Sequence, residues 1–89
     1  MAQGRAAMRM GDYEEAARIF RTVAEERPGE PGPFMALGRA EMAAERFERA
    51  RAAFAHVVEI RPAAAGPRIL VGNTWELERD YEHALEAYL

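Results

Sequence analysis

The chain has 89 residues, 49% of them hydrophobic, with a net charge of −3 and no cysteine, which allows one small folding unit with a thin core and excludes disulfides, thiolate metal sites and cysteine nucleophiles. All twelve basic residues are arginine, set against fifteen acidic ones, so there is no electrostatic footprint for nucleic acid or an anionic membrane. Ala, Arg and Glu dominate while Val, Ile and Thr are few, and that balance favours helix over sheet.

The first predicted helix covers 1–10. Arg5, Arg9, Asp12, Glu14 and Glu15 interrupt any apolar run in the first twenty residues, so the chain as given holds no signal peptide or membrane span, and the cytoplasm is the default expectation. Asp12-Tyr13-Glu14-Glu15 reads as an N-cap with an acidic residue three places on, opening a second helix over 13–27. Pro28-Gly29-Glu30-Pro31-Gly32-Pro33 is a turn segment that gives way to helices over 33–44 and 47–60. A second turn from Pro62 to Pro67 leads to helices over 67–78 and 81–89, the last opened by Asp80.

A period of 34 residues runs through these elements. Gly4, Gly38 and Gly72 recur at that spacing, as do Tyr13, Phe47 and Tyr81; Ala16, Ala50 and Ala84; Phe20, Phe54 and Tyr88; and Pro28 with Pro62. Read as pairs of antiparallel helices, the columns have physical causes. Gly inside a helix costs about 1 kcal/mol against Ala, so close approach of a neighbouring helix is the expected compensation. The Ala column does the same on the second helix, and the aromatic four residues on supplies bulk on the same face.

These columns resemble the tetratricopeptide repeat, whose pattern is W-x₂-L-G-x₂-Y, then A-x₃-F, then P over 34 residues. Phe34, Leu37, Gly38, Ala50, Phe54 and Pro62 carry the match best. The first unit has Gln3 in the Leu column and the third has Arg68 and Val71 in the leading aromatic and Leu columns; the second large aromatic column reads Ala7, Glu41 and Trp75. The resemblance implies an all-α, right-handed α-solenoid of about two and a half repeats, with units 1–30, 31–64 and 65–89 forming one repeat domain, a piece of a longer protein. It also implies a non-enzymatic protein-interaction or scaffold module whose first helices line a concave face. Arg5, Arg39 and Asn73, directly after the glycines, would form a ladder beside Met1, Met35 and Ile69, joined one turn on by Met8, Met42 and Glu76. The expected partner is a protein or peptide of mixed acidic and apolar character. The lysine- and asparagine-rich carboxylate clamp of some relatives is not reproduced. Two rival roles are self-association through an open C-terminal end and service as the non-catalytic arm of a larger enzyme, such as a transferase.

No cofactor, metal or catalytic residue is expected. His56 and His83 fall in different columns without a second ligand at metal spacing, and the absence of serine removes any Ser-His-Asp set. Glu14-Glu15 and Glu25-Glu26 are adjacent and therefore splay around their helix, as do solvated faces. Glu76, Glu78, Asp80, Glu82 and Glu86 make the C-terminal third acidic, which reads first as solvation. Gly29, Gly32 and Gly66 sit among prolines in turns, outside any phosphate-binding pattern. The methionines are expected mainly to fill core gaps.

Overall fold

The computed structural model describes residues 2–89; Met1 of the expected apolar strip lies outside the described residues. Among the described residues there are six helices and no strand: α1 Ala2–Arg9, α2 Tyr13–Glu26, α3 Pro31–Ala43, α4 Phe47–Ile60, α5 Gly66–Leu77 and α6 Tyr81–Tyr88. The first helices of the second and third pairs start earlier than the sequence suggested. Proline's fixed φ suits a first helical turn, and its missing N–H is one that would go unbonded there anyway, so Pro31 opens α3 rather than Pro33.

The turn inside each pair obeys the same period. Gly11, Glu45 and Arg79 all lie in the left-handed region, at φ 78°, 63° and 62°. Each is followed by a residue whose N–H reaches back to the carbonyl five before it, as Asp12 to Ala7 (2.9 Å), Arg46 to Glu41 (2.8 Å) and Asp80 to Trp75 (2.8 Å). These are Schellman closures, which satisfy otherwise orphaned helix carbonyls. The next residue then begins the second helix. Asp12 and Asp80 accept the N–H of Glu15 and His83, each at 3.2 Å. Arg46 fills that column in the middle pair without a side-chain cap.

Each helix packs substantially on its neighbours in sequence, so the molecule extends as an α-solenoid of 36 × 26 × 16 Å. The small-to-large interlock explains the conserved spacing within the chain. A β-carbon added at Gly4, Gly38 or Gly72 would run into the ring of Phe20, Phe54 or Tyr88 respectively. Ala16, Ala50 and Ala84 are buried beside those rings. The core is thin: Ala7, Ala16, Ala17, Phe20, Leu37, Ala40 and Ala53 form one cluster, and Ala24, Phe34 and Val57 a second.

Candidate functional site

The first helices place Arg5 and Met8 on α1, Met35, Arg39 and Met42 on α3, and Ile69, Asn73 and Glu76 on α5 at spacings of three and four, hence along one face of each helix. Arg5, Arg39 and Ile69 are exposed, while Met8, Met35 and Met42 are half-buried. Met8 and Met35 lean against the two core clusters, so they both fill gaps and present sulfur-bearing edges. Arg9 follows Arg5 by one turn and is also exposed. Among the described residues, Arg5, Arg9 and Arg39 enter no ion pair. Acidic residues are missing from α1 altogether, and the one on α3, Glu41, is buried. The α1 and α3 face is therefore cationic and apolar.

The third rung differs. The hydroxyl of Tyr88 lies 2.7 Å from both Asn73 Oδ1 and Glu76 Oε1, sharing its proton between them. The bond to Glu76, with some loss of solvent, pushes the phenol above its ordinary value. Asn73 and Glu76 are thus engaged within the chain, and the unpartnered part of the ladder is Arg5 and Arg39.

The side formed by the second helices holds features that sequence reasoning missed. Glu41 stands where the repeat pattern calls for a large aromatic, and it is 1% exposed. Burial of an ionised carboxylate requires partners. Arg21 Nη2 supplies one at 3.0 Å and Arg46 Nη1 another at 3.5 Å; Arg46 also reaches Glu14 at 2.7 Å. Because a carboxylate is smaller than an aromatic ring, a groove of about 620 Å³ remains between α2 and α4, floored by Phe34, Leu37 and Glu41. His56 stacks on Phe34 at its far end, with ring centroids 4.7 Å apart.

A second groove of about 660 Å³ lies one repeat further on, between α4 and α6, floored by Arg68, Val71 and Trp75. Its floor residues are the 34-residue equivalents of the first floor. Ala52 of α4 borders both, which makes a two-part trough divided by that helix. Trp75 is fixed by Arg51, whose guanidinium carbon is 3.5 Å from the ring centroid, and by His83, stacked at 4.6 Å. Arg51 also binds Glu78 and the buried Thr74 hydroxyl. His83 in turn holds Asp80 through its backbone N–H and, at 2.7 Å, through Nδ1; those two bonds draw the Asp80 carboxyl below its ordinary value. The signal that could have found the trough was the column Ala7, Glu41 and Trp75, which carries an aromatic once.

Among the described residues no three or more His, Asp or Glu side chains gather as a metal would require, and no helix is long and apolar enough to cross a membrane.

A family model described as tetratricopeptide repeat matches residues 7–68. The chain belongs to the tetratricopeptide-repeat family. Structures of the same fold include MamA from Desulfovibrio magneticus RS-1, at 20% identity and a TM-score of 0.87 over 98% of this chain and 49% of that one. MamA of MSR-1 is similar at 24% identity and a TM-score of 0.87, over 96% of this chain and 49% of that one. A chain of the CopN–Scc3 complex aligns at 21% identity and a TM-score of 0.84, over 98% of this chain and 53% of that one. This repeat chain spans about half the length of each. No curated protein matches it in sequence.

Proposed function

We propose that this tetratricopeptide-repeat chain is a scaffold module whose α1 and α3 face holds a partner segment rich in acidic and apolar side chains. The observation that carries the reading is the imbalance on that face: Arg5, Arg9 and Arg39 are exposed without an acidic partner, and no exposed acid stands on either helix. Arg5 and Arg39 stand on the first helices of successive pairs, so their long arms can meet carboxylates spaced along one segment while the methionines adapt to its apolar side chains. Like-charged surface groups with no counter-charge steer an anionic partner and make its binding salt-dependent. Ile69 extends the apolar strip; Asn73 and Glu76, tied to Tyr88, border it.

The test is fluorescence anisotropy with labelled peptides built from Glu and Leu, against the same peptides with Lys in place of Glu. The Glu peptides should bind and weaken as salt rises. Arg5→Glu with Arg39→Glu should cost at least about tenfold in affinity without changing the far-UV circular dichroism, whereas Arg49→Glu on α4 should not. Equal binding by both variants would remove the α1 and α3 face from the mechanism.

The trough on the second-helix side supports a second reading, in which apolar side chains of a partner seat over Phe34 and Trp75. Trp75 is the chain's one tryptophan, so its emission reports occupancy there directly. A partner that shifts it, and that Ala52→Arg displaces, would favour the trough over the arginine face.

A further inference from the structure

We infer that the groove between α2 and α4 seats an aromatic side chain of a partner protein, in a segment that carries a lysine or arginine about 10 Å further on. Resting on the second reading above, in which a partner lies in the trough, this names what that half of the trough takes. The walls and floor, α2, α3 and α4, each pack on both of their neighbours in sequence, so the groove is shaped well inside the chain.

The chain carries its own template for the ring. Ala24, Leu37, Glu41 and Ala53 line the first groove, and their 34-residue equivalents Val58, Val71, Trp75 and Ala87 line the second. In the second, the last floor position is an indole, covered by the Arg51 guanidinium of α4 and the His83 imidazole of α6. In the first, the same position is Glu41, whose carboxylate is held by Arg21 and Arg46. The equivalent of His83 is Arg49, which lines the first groove, is exposed and enters no ion pair among the described residues. A ring entering from outside lies on Leu37 with Arg49 over its face, as His83 lies on Trp75. The electron-rich face of an aromatic ring attracts such a cation.

The remaining free charge fixes the rest of the segment. Arg21, Arg46, Glu41 and Glu14 neutralise one another, and His56 faces Glu59 at 3.7 Å. Glu25, exposed on the α2 wall, enters no ion pair among the described residues. Both α2 and α4 run antiparallel to α3, so Arg49, in the first turn of α4, stands at the Glu41 end of the floor. Glu25, in the last turn of α2, stands at the Phe34 end. The seven residues from Phe34 to Glu41 rise about 10 Å at 1.5 Å each. Three residues of an extended segment cover the same length at about 3.3 Å each. A partner with an aromatic residue and, three places on, a basic one therefore meets Arg49 and Glu25 together, and opposite charges facing across a contact set its direction.

Fluorescence anisotropy with a labelled extended peptide tests this, with Tyr and Lys three residues apart among alanines and serines. It should bind at least about tenfold more tightly than the same peptide with Leu for Tyr or with Glu for Lys. Glu41→Tyr, which sets the chain's own ring in the groove, should displace it, and the surface change Arg49→Ala should weaken it several-fold, both with unchanged far-UV circular dichroism. Glu25→Lys should abolish the preference for Lys over Glu. Arg5→Glu with Arg39→Glu should leave this peptide's affinity unchanged, which separates the groove from the arginine face. A Tyr and Lys peptide that fails to bind, or a Leu peptide that binds as tightly, would overturn the inference, as would full affinity in both Glu41→Tyr and Arg49→Ala. Ala52→Arg tells such failures apart: if it displaces a Leu peptide that binds, the trough holds partners without choosing a ring, and if it displaces no peptide, the trough reading falls as well.

Discussion

Replacing Gly38 by Ala sets two effects of known size against each other. Gly38 lies inside α3, where Ala is the better helix former by about 1 kcal/mol. Against that, the new β-carbon is driven into the ring of Phe54, which is fully buried and cannot swing out to solvent. Overpacking of this kind costs about 1–3 kcal/mol, so the clash should win by up to about 2 kcal/mol. For a chain of this length each kcal/mol lowers the melting temperature by about 4–8 °C. Gly72→Ala meets the same clash with Tyr88, but that ring is 40% exposed and can swing outward by giving up its bonds to Asn73 and Glu76. Its loss should be smaller. Urea melts followed by circular dichroism, with Phe54→Leu as the second arm of a double-mutant cycle, give the coupling, expected at about 1–3 kcal/mol. A stabilised Gly38→Ala, or a cycle with zero coupling, would refute the interlock as the reason for the glycine column.

Ala50, fully buried, should lose about 1–3 kcal/mol on replacement by Leu, while Ala63→Leu in the exposed turn should lose almost nothing, and equal melts would break the register. Glu41→Ala leaves Arg21 and Arg46 without their buried partner; those arginines are 40% and 30% exposed, so solvent softens the loss to about 1–2 kcal/mol rather than the 3–5 of a fully buried pair. Glu41→Tyr refills the aromatic column and should lose less than Glu41→Ala in the same melt. The Asp80 carboxyl has its value lowered by His83 in the fold, so its contribution is present above the ordinary carboxylate range and disappears as pH falls through the lowered value. An acid titration of circular dichroism should show α6 loosening there, with that part of the transition missing in Asp80→Asn.

The architecture was legible because it is written three times. One glycine or one aromatic says little, but Gly4, Gly38 and Gly72 in register with Phe20, Phe54 and Tyr88 identify which side chains meet. The caps at Asp12 and Asp80 were legible for a local reason, since each acts within three residues. The buried carboxylate was not. Glu41 takes its charge partners from Arg21, twenty residues away, and from Arg46 in a cap column, and no period relates them. The trough and the Arg51, Trp75 and His83 stack arise from the same kind of cross-helix encounter. The left-handed turn column was hidden because Glu45 and Arg79 occupy it where Gly11 would have signalled it. As for the candidate face, sequence placed Arg5 and Arg39 on one side by resemblance, while the lack of any counter-charge, and the capture of Asn73 and Glu76 by Tyr88, depend on where distant side chains fall.

Packing only between consecutive helices has a consequence for how this molecule comes apart and forms. No contact of substance requires the two ends of the chain to find each other, so the search during folding is short and a nucleus can arise at any helix pair and spread. Traction on the ends would meet no long-range clamp and would peel helices away in sequence order. The middle pair, α3 with α4, is braced from both directions and should be the last to let its amide hydrogens exchange, with α1 and α6 the first.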